Sequence, residues 1–232
     1  MLPVAILAGG LATRLRPITE TIPKALVDVA GEAFIFRQLK YLRGQGISRV
    51  VLCVSYLGEQ IEAVVGDGRR LGLDVRYSFD GARLLGTGGA LKRALPLLDD
   101  TFFVLYGDSF LPIDFGAVER AYGESGKPAL MTVLRNADRW DKSNVRFDGK
   151  TVLEYNKRSP DAGMKYIDYG LSVLSRGALA PYPDDDPLDL ADVLHRLSVD
   201  GELAGLEVFE RFYEIGSHQG LAETQAYFRE AT

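Results

Sequence analysis

In the first half of the sequence, short apolar runs of strand length alternate with segments that have the pattern of helices. The runs fall at 4–8, 50–54, 73–79 and 102–106. Between them, apolar spacing and flanking glycines predict helices over 34–43, 60–65 and 90–98. Strands that alternate with helices in this way are typical of a doubly wound sheet. We therefore predict an α/β fold with a doubly wound, mostly parallel, Rossmann-like sheet.

The second half of the sequence is richer in short strands. Strands are predicted at 129–134, 145–147, 152–155, 166–174 and 203–209, and helices over 188–197 and from about 219 onward. Asp148-Gly149 is a strong hairpin signal between two of these strands. A chain of 232 residues with 47% hydrophobic residues can bury one large core. We expect one domain over 1–232 with halves at 1–125 and 126–232, the second forming a small β-rich annex.

The charge balance and the cysteine content exclude several classes of protein. The formal net charge is -5, so the chain lacks the basic face that binding to nucleic acid or to an anionic membrane requires. The single cysteine, Cys53, excludes an intrachain disulfide, and its apolar neighbours predict a buried thiol. No run approaches the roughly 18 to 20 apolar residues of a membrane span, and the N-terminus lacks the basic residues of a signal peptide. We expect a soluble, cytoplasmic protein.

The exit of the first strand has features that bind phosphate. Gly9 and Gly10 allow backbone N–H groups to approach a ligand closely, and Arg14 and Lys24 add positive charge. The last strand of the first half also ends in a polar turn, Gly107-Asp108-Ser109. Ligands of doubly wound sheets bind at the carboxyl ends of strands. We therefore expect both exits to face one crevice that binds an anionic small molecule.

Five motifs are spread over nearly the whole chain. They are Leu7-Ala8-Gly9-Gly10-Leu11-Ala12-Thr13-Arg14-Leu15 with Pro17 and Pro23-Lys24, Leu85-Gly86-Thr87-Gly88-Gly89-Ala90-Leu91, Gly107-Asp108-Ser109, the segment from Glu154 to Lys157, and Glu214-Ile215-Gly216-Ser217. Together they resemble the signature of the sugar-1-phosphate nucleotidylyltransferases. Within that family, the sequence resembles the bacterial subgroup of heptose-1-phosphate guanylyltransferases and muramic-acid-phosphate uridylyltransferases. Longer members append a β-helical acyltransferase, which we do not expect in a sequence that ends at Thr232.

The resemblance implies a glycosyltransferase-A-like fold with a nucleotide-binding first half and a sugar-phosphate-binding second half. It implies an enzyme that joins a sugar 1-phosphate to a nucleoside triphosphate and releases pyrophosphate, with Mg²⁺ as cofactor. By resemblance, the nucleotide contacts are Leu7, Ala8, Gly9, Gly10, Gly86, Thr87 and Gly88. The sugar-phosphate contacts are Asn144, Lys157, Tyr169 and Gly170. The expected partners are these two small molecules, without nucleic acid or membrane, and the choice between monomer and homo-oligomer is open.

The resemblance also assigns catalytic and metal-binding roles. Arg14 would stabilise the triphosphate and the leaving pyrophosphate, and Lys24 would stabilise the α-phosphate. Asp108 and Glu214 would hold Mg²⁺ through carboxylate oxygens. The chemistry of the residues agrees, because a phosphate monoester is largely dianionic near neutral pH and its oxygen needs no general base. The main obstacle is the repulsion between two polyanions, and placed cations offset it.

Three positions bear on the details of the site. Ala12 stands where the family commonly has glycine, and a left-handed conformation there would cost alanine on the order of 1 kcal/mol. Asn156 stands where a glutamate is expected. Asp80 is a candidate acceptor for the N1–H and N2–H donors of guanine, and it equally suits the start of an Asp80-Gly81 turn. GTP with a heptose or mannose type of sugar is therefore favoured, while UTP and CTP stay open.

Two other classes of function compete with the enzyme. A catalytically silent nucleotide-sugar-binding regulatory module would have no need of Arg14, Lys24 and Asp108 together. A dinucleotide-dependent oxidoreductase would share the glycine turn after the first strand. Its G-x-G-x-x-G fingerprint, however, needs glycines where Leu11, Ala12 and Arg14 stand. The residues therefore favour the nucleotidylyltransferase.

Overall fold

The structure, a computed structural model, describes residues 1–10, 12–81, 83–136, 138–184 and 186–230, so Leu11 of the first motif lies outside the described residues. The strands are β1 (Val4–Leu7), β2 (Asp28–Val29), β3 (Glu32–Ala33), β4 (Arg49–Val54), β5 (Asp74–Phe79), β6 (Thr101–Tyr106), β7 (Ser109–Phe110), β8 (Ala129–Arg135), β9 (Val145–Phe147), β10 (Val152–Tyr155), β11 (Tyr166–Ser175), β12 (Leu203–Val208) and β13 (Tyr213–Glu214). The helices are α1 (Phe34–Gly44), α2 (Gly58–Val65), α3 (Gly86–Ala94), α4 (Phe115–Ser125), α5 (Arg176–Leu179), α6 (Leu190–Val199) and α7 (His218–Glu230).

The described residues form a nine-stranded sheet around a parallel centre. Its central strands run parallel in the order β6-β1-β4-β5. The long strand β11 is antiparallel both to β6 and to β8, and β12 runs parallel to β8. The predicted mixed α/β class is confirmed. The strands of the second half extend the sheet of the first half, because residues 171–175 of β11 pair with β6.

Apolar side chains fill both faces of the central sheet. Along β1, Val4 and Ile6 belong to one core and Ala5 to the other, because successive side chains of a strand point to opposite faces. Helices α1, α2 and α4 cover the first face, and α3 and α6 cover the second. Cys53 is 1% exposed in the second core. This exposure confirms the predicted buried cysteine, and burial raises the pKa of its thiol to about 12.

Some helices differ from the sequence prediction. Helix α4 was not predicted, although its ends carry clear signals: Asp114 accepts a hydrogen bond from the N–H of Gly116 at 2.7 Å, and Gly126 has a φ of 65°. Helix α3 begins at Gly86, inside the second glycine motif, and residues 95–97 continue it as a 3-10 turn. Among the described residues, no helix combines the length and the apolarity that crossing a membrane would require.

Candidate active site

The carboxyl ends of the central parallel strands open into a cavity of about 270 Å³. Leu7 of β1 lies between Cys53 of β4 and Tyr106 of β6, so the three strands end at one level. The lining residues are Leu7, Ala8, Gly9, Gly10, Lys24, Ala25, Cys53, Asp80, Leu84, Gly86, Thr87, Ala90, Tyr106, Gly107 and Asp108. The two polar strand exits therefore face one crevice, as predicted. We call it the nucleotide cavity, after the predicted nucleotide contacts that line it.

Gly88 is the one predicted nucleotide contact that does not line this cavity in the described structure. Its N–H donates to the carbonyl of Leu188 at 2.8 Å, and a Cβ on it would lie 2.7 Å from the Leu188 Cγ. Gly86, which does line the cavity, has a φ of +73°, and a Cβ there would lie 2.6 Å from the Leu188 oxygen. The second glycine motif therefore forms part of the cavity wall and also packs against Leu188. The Gly88 N–H is already hydrogen-bonded to the Leu188 carbonyl.

Asp80 forms a buried part of the cavity wall, with 6% of its surface exposed. Its Oδ2 accepts a hydrogen bond from the N–H of Leu85 at 3.2 Å. Burial raises the pKa of its carboxyl, and the Leu85 hydrogen bond opposes that shift. The Asp80 carboxyl thus binds the backbone of Leu85 and also lines the cavity.

Four predicted charged residues converge beside the nucleotide cavity. The Lys24 Nζ lies 2.8 Å from the Asp108 Oδ2. Pairing of β7 with β13 places Glu214 opposite Ser109, next to Asp108. A Cβ added to Gly216 would lie within 3.2 Å of the Glu214 Oε2, the Arg14 Nη2 and the Asp108 Oδ2. Arg14, Asp108 and Glu214 therefore surround one point, and the absence of a side chain on residue 216 keeps that point open.

The two carboxylates at this point fit a magnesium site. In the described part of the chain, no cluster of three or more metal-ligating side chains occurs. Mg²⁺ commonly takes only one or two protein carboxylates and completes its shell with water and substrate phosphates. Glu214 is held in place because its Oε1 accepts a hydrogen bond from the Ser217 hydroxyl at 2.7 Å and its Oε2 accepts one from the Gly216 N–H. Asp108 and Glu214 are thus the residues that would hold the ion.

A second cavity, of about 340 Å³, adjoins the first at Tyr106 and Asp108. All four predicted sugar-phosphate contacts line it, together with Arg14, Asp108 and Glu214. The lining residues are Arg14, Tyr106, Asp108, Ser109, Trp140, Asp141, Asn144, Tyr155, Lys157, Ile167, Asp168, Tyr169, Gly170, Phe212, Glu214 and Ser217. We call it the sugar-phosphate cavity. Two compartments that meet at a carboxylate, with cations beside it, could hold two anionic substrates end to end.

Comparison with known proteins assigns the family. The pattern of the family described as nucleotidyl transferase matches residues 4–148, more than half of the chain. The chain belongs to this family. The family that the motifs resemble is therefore confirmed, and the match includes both polar strand exits.

This nucleotidyl transferase has curated relatives with different nucleotides in their names. It is 29% identical over 236 residues to an N-acetylmuramate alpha-1-phosphate uridylyltransferase of Caulobacter vibrioides, covering 97% of the chain and 96% of the relative. It is 36% identical over 140 residues to a D-glycero-alpha-D-manno-heptose 1-phosphate guanylyltransferase of Campylobacter jejuni, covering 60% and 62%. Other alignments cover only 36%, 49% and 47% of the relatives, so the chain spans about half or less of the length of those proteins.

A solved structure has the same overall fold as this nucleotidyl transferase. It is HddC from Yersinia pseudotuberculosis complexed with GMP-PN, with a TM-score of 0.78, 25% sequence identity, and coverage of 98% of this chain and 100% of that one. The likeness extends over both halves of the chain. The fold class is therefore shared by the whole described region and does not depend on the first half alone.

The structure adds Asp168 to the site and shows the surroundings of Tyr169 and Asn156. Asp168 lines the sugar-phosphate cavity, where burial raises the pKa of its carboxyl and its Oδ1 accepts a hydrogen bond from the Gly170 N–H at 3.0 Å. Tyr169 lines the same cavity but is only 2% exposed, and its buried hydroxyl has no hydrogen-bond partner among the described residues. Asn156 lies outside the cavity lining among the described residues, and its Oδ1 accepts a hydrogen bond from the Ser159 N–H.

Gln38 is another missed residue, and it fixes the turn that carries Asp108. Its buried side-chain amide donates to the carbonyls of Tyr106 and Ser109, at 3.0 and 2.7 Å. The two acceptors determine the orientation of the amide, since a flipped amide would place oxygen against oxygen. The only available signal was a polar residue on the apolar face of α1.

Gln38→Leu is expected to lower the free energy of unfolding by about 1 to 3 kcal/mol, because it removes two hydrogen bonds and leaves buried carbonyls without this donor. Denaturant titration measures the change. The matched control is Gln60→Leu on the exposed surface, where a change within about 0.5 kcal/mol is expected. Equal stability of the Gln38 variant and the wild type would show that the turn does not depend on this amide.

Ala12 has φ 50° and ψ 39°, which is the left-handed conformation that lowers the stability of a chain with alanine at this position. Its carbonyl accepts hydrogen bonds from the Thr19 hydroxyl at 2.7 Å and from the Leu15 N–H at 3.1 Å, which hold the conformation. Ala12→Gly is expected to raise the free energy of unfolding by up to about 1 kcal/mol, because glycine adopts this region without steric cost. A lower stability in thermal or denaturant unfolding would contradict this account of strain.

Proposed function

We propose that the protein is a sugar-1-phosphate nucleotidylyltransferase, which joins a sugar 1-phosphate to a nucleoside triphosphate and releases pyrophosphate. The observation that carries the proposal is the meeting of the nucleotide cavity and the sugar-phosphate cavity at Asp108, beside Lys24 and Arg14. A binding module for a finished nucleotide sugar would not need cations placed at the junction itself. Membership of the nucleotidyl transferase family supports the same reaction.

The proposed reaction exchanges one phosphorus–oxygen bond for another. An oxygen of the sugar phosphate attacks the α-phosphorus of the nucleotide, and the bond from that phosphorus to the bridging oxygen of the β-phosphate breaks. The attacking oxygen is already ionised near neutral pH, because the second pKa of a phosphate monoester is about 6. The protein therefore has to position two anions rather than supply a base.

The cations at the junction have separate tasks in this proposal. Lys24 stabilises the charge on the α-phosphate, Arg14 binds the leaving pyrophosphate, and Lys157 binds the phosphate of the sugar. One pair of unit charges at about 4 Å repels by roughly 1 kcal/mol in water and by about 4 kcal/mol at an effective dielectric constant of about 20. Mg²⁺ held by Asp108 and Glu214 would supply further positive charge to the phosphates. Several cations are needed because several such pairs arise together.

The ion pair between Lys24 and Asp108 is expected to change when the nucleotide binds. At 2.8 Å, the Lys24 ammonium neutralises the carboxylate that is the proposed metal ligand. Arrival of the nucleotide with its metal would give each side chain a new partner of opposite charge, so Lys24 could turn to the α-phosphate. We infer that the pair holds both side chains at the junction of the two cavities until the nucleotide binds.

For the base, we propose guanine. Asp80 lines the nucleotide cavity and presents the only carboxyl on its wall besides Asp108 among the described residues. When ionised it would accept hydrogen bonds from the N1–H and N2–H of guanine. Burial raises the pKa of the Asp80 carboxyl, and hydrogen bonds from a bound guanine would oppose that shift by favouring the ionised form. The relative from Campylobacter jejuni is named a guanylyltransferase, and HddC was solved with GMP-PN.

A matrix of four nucleoside triphosphates against hexose, heptose and amino-sugar 1-phosphates tests the proposal, with release of pyrophosphate as the readout. The expected result is turnover with GTP and a heptose or mannose type of sugar 1-phosphate. Preference for UTP or CTP would overturn the choice of base and leave the reaction intact. Tight nucleotide binding without turnover for any pair would instead identify the regulatory binding module.

A further inference from the structure

Trp140 is the only tryptophan in the sequence, and it lies on the rim of the sugar-phosphate cavity. Its side chain is 41% exposed, although it lines this cavity and also a smaller adjoining one of about 210 Å³. A large aromatic ring that is exposed in a concave pocket is typical of a binding surface. The indole thus has a contact surface that the protein itself does not cover.

The loop between β8 and β9 holds the Trp140 backbone in place. The buried Asn136 accepts a hydrogen bond from the Trp140 N–H at 3.0 Å and donates to the carbonyl of Asp141 at 2.6 Å. The same amide donates to the hydroxyl of Ser143 at 3.1 Å. The buried polar side chains of Asn136 and Ser143 therefore brace the loop on both sides of the indole.

Arg211 fixes one face of the ring. Its Cζ lies 4.0 Å from the centroid of the Trp140 ring and 5.1 Å from that of Tyr213, and its guanidinium forms an ion pair with Glu223. Tyr213 in turn stacks on Tyr227 at 4.0 Å between centroids. This stack connects the β8–β9 loop to β13, the strand that ends in Glu214. The indole is therefore positioned before any substrate arrives.

We propose that Trp140 is a specificity-determining contact for the sugar ring of the sugar 1-phosphate, and that Arg211 is a positioning residue for its indole. The inference rests on the proposed function, since it takes the sugar to lie in the cavity that Lys157 and Arg14 line. The substrate class it names is a pyranose whose apolar C–H face packs against the indole. Lys157 lines the same cavity and would hold the phosphate, while the indole would hold the sugar ring.

Fluorescence gives a direct test, because the emission of the wild-type protein, excited at the red edge of indole absorption, comes from Trp140 alone. Titration with the sugar 1-phosphate that turns over fastest should change this emission in a saturable manner, at concentrations near its KM. Arg211→Gln should shift the emission of the free protein, since it removes the stacked guanidinium. An emission that does not respond to saturating sugar 1-phosphate would overturn the contact.

Kinetics supply the second test. Trp140→Ala should raise the KM for the sugar 1-phosphate by about 10- to 100-fold, because an aromatic contact surface of this size is lost. The KM for the nucleotide should stay within about threefold, and Trp140→Phe should restore most of the loss. Unchanged sugar kinetics in Trp140→Ala would overturn the inference while leaving the proposed function intact. Absence of both turnover and an emission response in the wild type would overturn both.

Discussion

Asp108→Asn is expected to lower turnover by about a thousandfold or more while leaving the fold intact. The substitution keeps the size of the side chain and removes its negative charge, so it weakens the proposed metal site and breaks the ion pair with Lys24. Pyrophosphate release at saturating substrates measures the loss, and the Mg²⁺ concentration for half-maximal activity should rise. The Asp108 side chain is 27% exposed and lies in a turn rather than in the core, so little stability should be lost.

The matched control for this prediction is Asp99→Asn. It also removes a carboxylate from an ion pair, here the exposed pair with Arg49 at the surface. Its activity should equal that of the wild type, because exposed pairs contribute little and this one lies away from both cavities. If Asp108→Asn keeps activity near that of the wild type in the same assay, Asp108 is not the principal metal ligand.

Lys24→Ala should lower kcat by about 100- to 1,000-fold. The reason is that the charge on the phosphate oxygens around the α-phosphorus changes most in the transition state, so a cation placed there acts mainly on kcat. Lys24 lines the nucleotide cavity next to Asp108, which places it near that phosphorus in the proposed complex. Nucleotide affinity, measured by calorimetry, should fall by less than about tenfold.

Two further variants test whether the positive charge of Lys24 causes the effect. Lys24→Met keeps most of the apolar stem and removes the charge, and it should behave like the alanine variant if charge is the cause. Lys40→Ala removes an exposed lysine that pairs with Glu32, and it should have no effect. A loss of nucleotide affinity with unchanged kcat would contradict the role in the transition state, because it would indicate equal binding of the ground state and the transition state.

Much of the fold was predictable because its signals are local. The runs at 50–54 and 102–106 are confirmed as the buried strands β4 and β6. Their apolar, β-branched and aromatic residues suit a parallel strand that is covered on both faces. Helix α4 was not predicted, although local signals for it are present: Asp114 caps its first turn and Gly126 follows its last residue.

The candidate site was predictable only in part. Gly9 and Asp108 follow closely on the ends of β1 and β6, so they could be placed together because parallel strands share one carboxyl edge. Gln38 and Trp140 could not be placed. Gln38 matters through two hydrogen bonds to a turn far along the chain, and Trp140 through a stack on Arg211. Neither contact follows from the spacing of residues around it.

The sequence by itself determined the alternation of strands and helices, the glycine-containing exit of β1 with its cations, and the family, because each depends on short segments whose residue patterns can be recognised one at a time. The tertiary structure decided which distant side chains meet. Pairing of β7 with β13 brings Glu214 beside Asp108, and the packing of α3 on Leu188 occupies the Gly88 amide. Such contacts depend on sheet register and on how elements pack, and a local pattern of residues contains neither.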